Sequence, residues 1–308
     1  MDQFFQQLSN GLALGCLYAL VAVGYTIVYG IIQLINFAHG EIFMIGSFGG
    51  LATWTYALGK QSTALWTLPI ILLGAVVSSV AVALLTERFA YRPLRNAPRL
   101  APLITAIGVS VVLQEAIRTQ YPGATAGLPF PTIDGVNGAA IQVGGVSIER
   151  TGLVIIAVLV VCGVAVNLFI NRSRTGRAMR ATAEDPDTAR LMGIDVDRIV
   201  VIAFVLGAVL AGIAGVMQGL QYHNIVYRDG FSAGLKAFTA AVLGGIGNIN
   251  GAILGGIVVG LVEVMATQYV PGQFGGSTWK DVWAFVILVV VLVVRPQGLL
   301  GARVVDRA

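Results

Sequence analysis

The chain has 308 residues and a net charge of +4, and its mean hydropathy of +0.84 is far from that of a water-soluble domain. Only 11% of the residues are charged, whereas about 25% is usual in soluble domains, so too few polar side chains exist to cover a surface in water. Disorder is excluded as well, because a disordered chain combines low hydrophobicity with high charge. The remaining class is an integral membrane protein.

Eight uncharged stretches follow one another along the chain, and most are long enough to cross a bilayer, which takes about 20 apolar residues. They are apolar on all sides, which is typical of helices and not of the alternating strands of a barrel. The sequence therefore predicts an all-α polytopic bundle of about eight hydrophobic segments, forming a single domain over residues 1–308. The stretches are 3–40, 42–59, 61–86, 100–114, 151–171, 199–227, 237–262 and 282–294.

A polar interruption divides the first stretch, which is longer than one span. Asn36, His39 and Glu41 lie there between two apolar segments. Backbone groups freed by a break in a membrane helix are tolerated only where they face protein or line a cavity, so residues 36–41 predict a discontinuous helix on a translocation path. Catalysis or metal binding by His39 and Glu41 is disfavoured, because the sequence has two histidines and lacks the paired motifs of metal sites.

Three clusters of arginines predict the orientation of the spans, because basic loops stay cytoplasmic. Residues 121–148 carry no Lys or Arg, so 121–150 is predicted to be an exterior loop, and three crossings before the first cluster would place the N-terminus outside. Basic residues dispersed between spans argue against nucleic acid as a partner. The clusters are Arg88, Arg92, Arg95 and Arg99; Arg172, Arg174, Arg177, Arg180, Arg190 and Arg198; and Arg295, Arg303 and Arg307.

Residues 172–198 form the cytoplasmic loop with the clearest local signals. Asp185 suits a helix N-cap, Pro186 the first helical position, and Gly193 the residue after a helix C-terminus. These signals predict a short helix over residues 186–192. We interpret it as a lever that docks onto a cytoplasmic partner; the alternative is a solvated connector.

The region 237–265 is predicted to start and finish on the same side of the membrane, given the inward and outward spans around it. Two short crossings or two half-helices that meet at mid-membrane satisfy this requirement. Residues 244–251 supply the helix-breaking chemistry, although glycines at four-residue spacing also serve close helix packing. Glu263 and Glu115, near the ends of apolar runs, are interpreted as interfacial. The path residues predicted here are Gly244, Gly247, Asn248, Asn250 and Gly251.

Seven segments spread over the chain together resemble branched-chain amino acid ABC transporter permeases of the LivH type. They are 24–30, 35–46, 87–95, 183–185, 191–194, 236–247 and 295–301. The resemblance implies a bacterial inner-membrane permease, surrounded by membrane lipid. It also implies a second, related permease, two cytoplasmic ATP-binding subunits and a periplasmic amino-acid-binding protein as partners.

The loop at 180–194 matches the position of that family's coupling helix, which contacts the ATPase. Its core departs from the Glu-Ala-Ala of other importers, so contacts cannot be transferred from them. The coupling residues implied by the resemblance are Glu184, Asp185, Pro186, Ala189, Leu191 and Gly193.

The predicted function is that of a transport subunit and not of an enzyme. The Gly-Lys pair at 59–60 lacks the rest of a P-loop, so the chain itself binds no cofactor, and ATP with Mg is used by the partner subunits. With a second permease the chain is expected to form the path for branched-chain or other neutral amino acids. The leading alternative is an ion-coupled secondary transporter of small polar solutes, for which Glu41 is the clearest ionisable candidate. A passive channel and an intramembrane hydrolase rank lower.

Overall fold

The computed structural model describes residues 2–34, 36–60, 63–95, 97–98, 100–143 and 146–301, without the side chains of residues 141–143 and 273. Ile35 of the first break and the cluster members Arg99, Arg303 and Arg307 lie outside the described residues. Within them, helices dominate and strands are few and short. The prediction of an all-α polytopic bundle is confirmed.

The helices alternate along the chain with short turns. Six of those in the described residues, counting one extension, are long and apolar enough to cross a membrane: α1, α3, α4, α5, α8 and α10. The helices are α1 (Asp2–Ile32), α2 (His39–Ala52), α3 (Thr67–Thr86), α4 (Leu100–Gln120), α5 (Arg150–Arg172), α6 (Arg174–Glu184), α7 (Pro186–Leu191), α8 (Val196–Tyr222), α9 (Asp229–Gly244), α10 (Ile249–Tyr269) and α11 (Lys280–Val294).

Short elements extend or connect these helices. Strand β1 (Leu128–Pro129) pairs antiparallel with β4 (Asn224–Ile225), and β2 (Ala139–Val143) pairs antiparallel with β3 (Val146–Glu149). π-helical turns continue α2 over Thr53–Ala57 and α3 over Glu87–Tyr91, and 3-10 turns cover Arg92–Leu94, Pro122–Thr125 and Gly272–Phe274.

The bundle has two distinct ends. At one, which we call the basic end, Arg95 binds both Glu87 after α3 and Asp197 at the start of α8. At the other, the opposite end, the backbone N–H of Phe130 donates to the carbonyl of His223 after α8 at 3.0 Å. The arginine-rich loops and the predicted exterior loop therefore lie at different ends of the molecule.

Helix α1 runs through the centre of the bundle against α10, and glycines let the two backbones meet. A Cβ atom at position 260 would lie 2.3 Å from the Cα of Gly15, and one at position 256 would lie 2.5 Å from the Cα of Ala19. Side chains cannot occupy such gaps. The alternative interpretation of the glycines as packing residues is therefore correct for this seam.

We expect Gly260→Ala to destabilise the bundle by about 1–3 kcal/mol, because its methyl group would force α1 and α10 apart. The measurement is the midpoint of thermal unfolding of the purified chain in detergent. Gly108→Ala on α4 is the matched control: among the described atoms none lies within 4 Å of its Cβ, so the midpoint should hold or rise. Equal midpoints for the two variants would contradict the tight seam.

Helix α2 begins inside the bundle and not at its end. The ring of His39 packs on Gly24 of α1 and Gly207 of α8. Gly24 lies eight residues before the end of α1 and Gly207 eleven after the start of α8, about 12 and 16 Å from the basic end at 1.5 Å per residue. The first predicted discontinuity therefore lies near mid-membrane depth.

The second discontinuity is a turn at the basic end. Helices α9 and α10 are antiparallel, and Gly245 and Gly247 between them adopt φ values of +100° and +96°. The segment after α11 closes this turn, since the N–H groups of Leu299 and Leu300 donate to the carbonyls of Leu243 and Gly244 at 2.8 and 2.9 Å. The sequence left two arrangements open for residues 237–265. The structure has the first, in which two short crossings, α9 and α10, are joined by a turn, and these residues do not form half-helices that meet at mid-membrane.

Candidate functional site

Glu41, one of the predicted path residues, is fully buried, with 0% of its surface exposed. Ser110 Oγ and Gln114 Nε2 of α4 donate to its Oε1 at 2.9 and 2.8 Å. Its second oxygen, Oε2, is buried without a hydrogen-bond partner among the described atoms. Glu41 thus connects the start of α2 to the middle of α4 while one polar atom stays unsatisfied.

Asn36 and His39 share this character. Asn36 Oδ1 accepts hydrogen bonds from the Tyr91 hydroxyl at 2.9 Å and from the N–H of Ala38 at 3.0 Å. Its Nδ2, like His39 Nε2, is buried and without a partner among the described atoms. Unsatisfied buried polar atoms are rare, and each lowers the stability of a fold by about 1–3 kcal/mol. Their presence here marks the region as a candidate functional site.

A cavity of about 700 Å³ opens at the basic end. The turn between α9 and α10 contributes Gly247, Asn248 and Asn250 to its wall, and α1 contributes Thr26 and Gly30. Three of the predicted path residues therefore line one cavity. Asn36, His39 and Glu41 are not among its described lining residues and lie deeper in the bundle.

Gly244 and Gly251 have a different role. A Cβ atom at position 244 would lie 2.0 Å from the carbonyl oxygen of Gly251, so these two residues hold α9 against α10. Gly247 has no described atom within 4 Å of its Cβ position, and its positive φ is what requires glycine there.

We expect Gly251→Ala and Gly247→Ala to act differently. The first should reduce the yield of folded chain, because its methyl group would lie 2.3 Å from the carbonyl oxygen of Gly244. The second should preserve the fold at a cost of about 1–2 kcal/mol, because an L residue is strained at positive φ but has room for its side chain. Size-exclusion profiles and thermal unfolding of both variants provide the measurement. A larger loss for Gly247→Ala would contradict the assignment.

A second cavity, of about 400 Å³, lies toward the opposite end between α1, α2, α8, α9 and α10. A buried ionic network forms part of its wall. Lys236 Nζ lies 2.7 Å from Glu263 Oε1 and 2.7 Å from Asp281 Oδ1, and the Tyr18 hydroxyl donates to Glu263 Oε2 at 2.9 Å. Lys236 and Glu263 expose only 5% and 4% of their surface.

This network corrects two sequence interpretations. Glu263 is not interfacial but buried, and Glu41 is accompanied by further ionisable groups inside the bundle. Glu115 does lie at the surface, paired with Arg118. The signal in the sequence that could have indicated this network is Lys236. A lone lysine in an apolar region needs a carboxylate partner, and Glu263 is the next charged residue, after the apolar run 237–262.

Aromatic side chains pack together at a depth between the two cavities. The ring centroids of Tyr25 and His39 are 4.6 Å apart, those of Tyr25 and Phe238 6.1 Å, and those of Phe37 and Phe238 5.7 Å. Along α1, residues that line the opposite-end cavity precede Tyr25 and residues that line the basic-end cavity follow it. We call these four residues the aromatic cluster.

The short helix α7 matches its prediction to within one residue. The pKa of Asp185 is lowered by hydrogen bonds to its carboxylate from the Thr188 hydroxyl and from the N–H groups of Thr188 and Asp187, the N–H bonds measuring 3.2 and 2.9 Å. Gly193 has a φ of +83°. Five of the six predicted coupling residues are exposed: Glu184, Asp185, Pro186, Leu191 and Gly193. Ala189 is buried and packs inward, so it cannot be part of a contact surface.

Comparison with known proteins gives consistent matches over the whole chain. Residues 7–294 match the family model described as branched-chain amino acid transport system, permease component. The chain is 44% identical over 306 residues to the high-affinity branched-chain amino acid transport system permease protein BraD of Pseudomonas aeruginosa, covering 99% of this chain and 98% of that protein. It is 43% identical over 310 residues to the corresponding protein LivH of Escherichia coli K12, covering 99% and 97%.

Among solved structures, the fold is similar to that of a chain described as a metal-chelate type ABC transporter in an inward-facing conformation. The TM-score is 0.52 at 14% identity, with 95% of this chain and 88% of that chain covered. At this identity the similarity concerns the fold alone.

Proposed function

The chain belongs to the family of branched-chain amino acid transport system permeases, and from this membership we propose that it conducts branched-chain or other neutral amino acids as one subunit of an ABC importer. It is a multi-pass membrane permease and not itself an ATPase. The observation that carries the proposal for the route is the pair of cavities toward the two ends of the bundle, with the aromatic cluster packed at a depth between them, which we take as the barrier. A transporter that opens to one side at a time requires this arrangement of two access spaces and a barrier.

The basic end is the cytoplasmic end in this proposal, because arginine-rich loops stay on the cytoplasmic side, and residues 121–150 face the exterior. Of the two ATP-binding subunits, one docks at α7 of this chain through Leu191 and Met192, and both subunits use ATP with Mg. A periplasmic binding protein delivers the amino acid at the opposite end, and a second, related permease completes the membrane assembly.

The route passes from the opposite-end cavity, beside the start of α2, to the basic-end cavity with Gly247, Asn248 and Asn250 in its wall. His39 belongs to the aromatic cluster, and Asn36 and Glu41 lie within three residues of it, so a shift of α2 relative to α1 would present the unsatisfied polar atoms of these residues to the passing amino acid. The location of the complete path between two permeases stays a prediction.

The test is uptake of labelled L-leucine into proteoliposomes that contain the complete transporter. Uptake should require both ATP in the compartment of the ATP-binding subunits and the binding protein outside. The alternative, an ion-coupled secondary transporter, predicts uptake driven by a proton or sodium gradient without ATP. Gradient-driven uptake by the isolated chain would refute the proposal.

A further inference from the structure

The opposite-end cavity brings together charges of both signs, in a chain where charged residues are few. Lys236 and Lys280 contribute ammonium groups to its lining, and Asp229 and Glu263 contribute carboxylates. Gln218, Tyr18 and Tyr222 add uncharged polar groups. Asp281 also contacts Lys236, so the site offers both ammonium and carboxylate groups, and a ligand that carries one charge of each sign can bind to both kinds.

One of these groups is held in a fixed position. An ammonium group has three N–H donors, and two of those on Lys236 are directed at Glu263 and Asp281. The third is left for a ligand or for the ring of Tyr18, whose centroid lies 5.5 Å from Nζ. Glu263 is in turn held by Tyr18. Because these side chains are already ordered, little conformational entropy would be lost when a ligand carboxylate binds to Lys236.

The remainder of the wall is mixed in character. Asn224 and Ser232 add polar groups, and the described residues with apolar side chains are Leu14, Leu17, Val21, Phe43, Val226 and Ala233. A volume of about 400 Å³ is in the range of small-ligand sites, and the apolar residues provide a surface for an aliphatic side chain.

We propose that this cavity, inside a single permease chain, is a binding site for an α-amino acid with an aliphatic side chain, an inference that rests on the proposed function. The ligand carboxylate binds Lys236 and Lys280, its ammonium group binds Asp229 and Glu263, and its side chain contacts the apolar wall. The site lies directly next to the barrier, because Phe238 follows Lys236 by two residues on α9 and Tyr25 follows Val21 by one turn on α1. The transported amino acid therefore stays bound at this site until the aromatic cluster opens.

The test measures equilibrium binding of labelled L-leucine to the transporter in lipid nanodiscs without the binding protein. 4-Methylpentanoate, which lacks the ammonium group, and 3-methylbutylamine, which lacks the carboxylate, serve as competitors. Leucine should compete at least about tenfold better than either, because each analogue can bind only the ammonium groups or only the carboxylates of the site.

Asp229→Asn and Lys280→Gln should each weaken leucine binding about tenfold or more. Asn at position 229 can still accept the hydrogen bond from the N–H of Val226, which Asp229 Oδ2 now accepts at 2.8 Å, so the start of α9 is preserved. Glu115→Gln is the matched control, since it removes an exposed carboxylate on α4 outside the cavity and should bind leucine like the unchanged chain.

Three results would overturn the site: no leucine binding at millimolar concentration, equal binding by Asp229→Asn and Glu115→Gln, or competition by the amine or the acid as strong as that by leucine. Uptake by the complete transporter distinguishes a failure of the proposed site from a failure of the proposed function. If the unchanged transporter takes up leucine with ATP and Asp229→Asn does so with the same KM, the site is wrong and the proposed function stands. If the unchanged transporter takes up no neutral amino acid, the proposed function fails.

Discussion

Replacing Leu191 by aspartate should abolish ATP-driven uptake while the chain stays folded in the membrane. Leu191 and Met192 expose 88% and 79% of their surface at the end of α7, and the Asp185 cap and the turn at Gly193 hold them there. An exposed apolar pair on a short, well-capped helix is a suitable anchor for a partner, and loss of such an anchor costs about 2 kcal/mol or more of binding energy. Uptake should fall by more than about tenfold, and the ATP-binding subunits should no longer co-purify.

The matched control is Leu191→Met, which keeps the apolar surface and should retain both uptake and co-purification. Ala189→Asp is not suitable as a second docking variant, because Ala189 is buried and its replacement would disrupt α7 itself. If Leu191→Asp shows normal uptake and normal co-purification, α7 does not dock the ATP-binding subunits and is a solvated connector.

Replacing Lys236 by methionine should lower the free energy of unfolding by about 3–5 kcal/mol. The change would leave the carboxylate of Glu263 buried with Tyr18 as its remaining hydrogen-bond partner among the described contacts, and a buried charge without a counter-charge is costly. Asp281 would suffer less, because about half of its side chain is exposed to solvent. Thermal or denaturant unfolding of the purified chain in detergent measures the effect.

The double variant Lys236→Met with Glu263→Gln is the control. It removes both charges, and Gln at position 263 can still accept the Tyr18 hydrogen bond, so most of the lost stability should return. If the single variant is as stable as the unchanged chain, or if the double variant is the less stable of the two, the ionic network does not stabilise the fold.

Elements that are determined by residues close to them in the chain could be predicted from the sequence. The cap at Asp185 and the turn at Gly193 act within three residues, so the helix between them could be placed from the sequence to within one residue. The break between α1 and α2 was predicted near its actual position, because a polar run inside a long apolar stretch interrupts a membrane helix, although His39 and Glu41 belong to the first turn of α2 and not to the break. Family resemblance then supplied the function.

Features that depend on distant partners could not be placed. Gly244 and Gly247 are the same residue type three positions apart, yet one packs on Gly251 and the other lines a cavity. The position of their turn at the basic end depends on backbone pairing with Leu299 and Leu300. Glu263 lies near the end of an apolar run, and its burial follows only from Lys236 and Tyr18, which approach it from two other helices.

The early position of the short helix α2 in the chain has a consequence for biogenesis. Its 14 α-helical residues measure about 21 Å, and the π-helical turn over Thr53–Ala57 brings it closer to the roughly 30 Å hydrocarbon layer. His39 and Glu41 in its first turn nevertheless make α2 a poor substrate for insertion by itself. Much of its packing comes later: Ser47 Oγ donates to the carbonyl of Gly215 on α8, 168 residues further along, at 3.1 Å. While the ribosome makes that intervening chain, α2 has to be held by α3 or by the insertion machinery, and it reaches its final environment only after α8 has entered the bilayer.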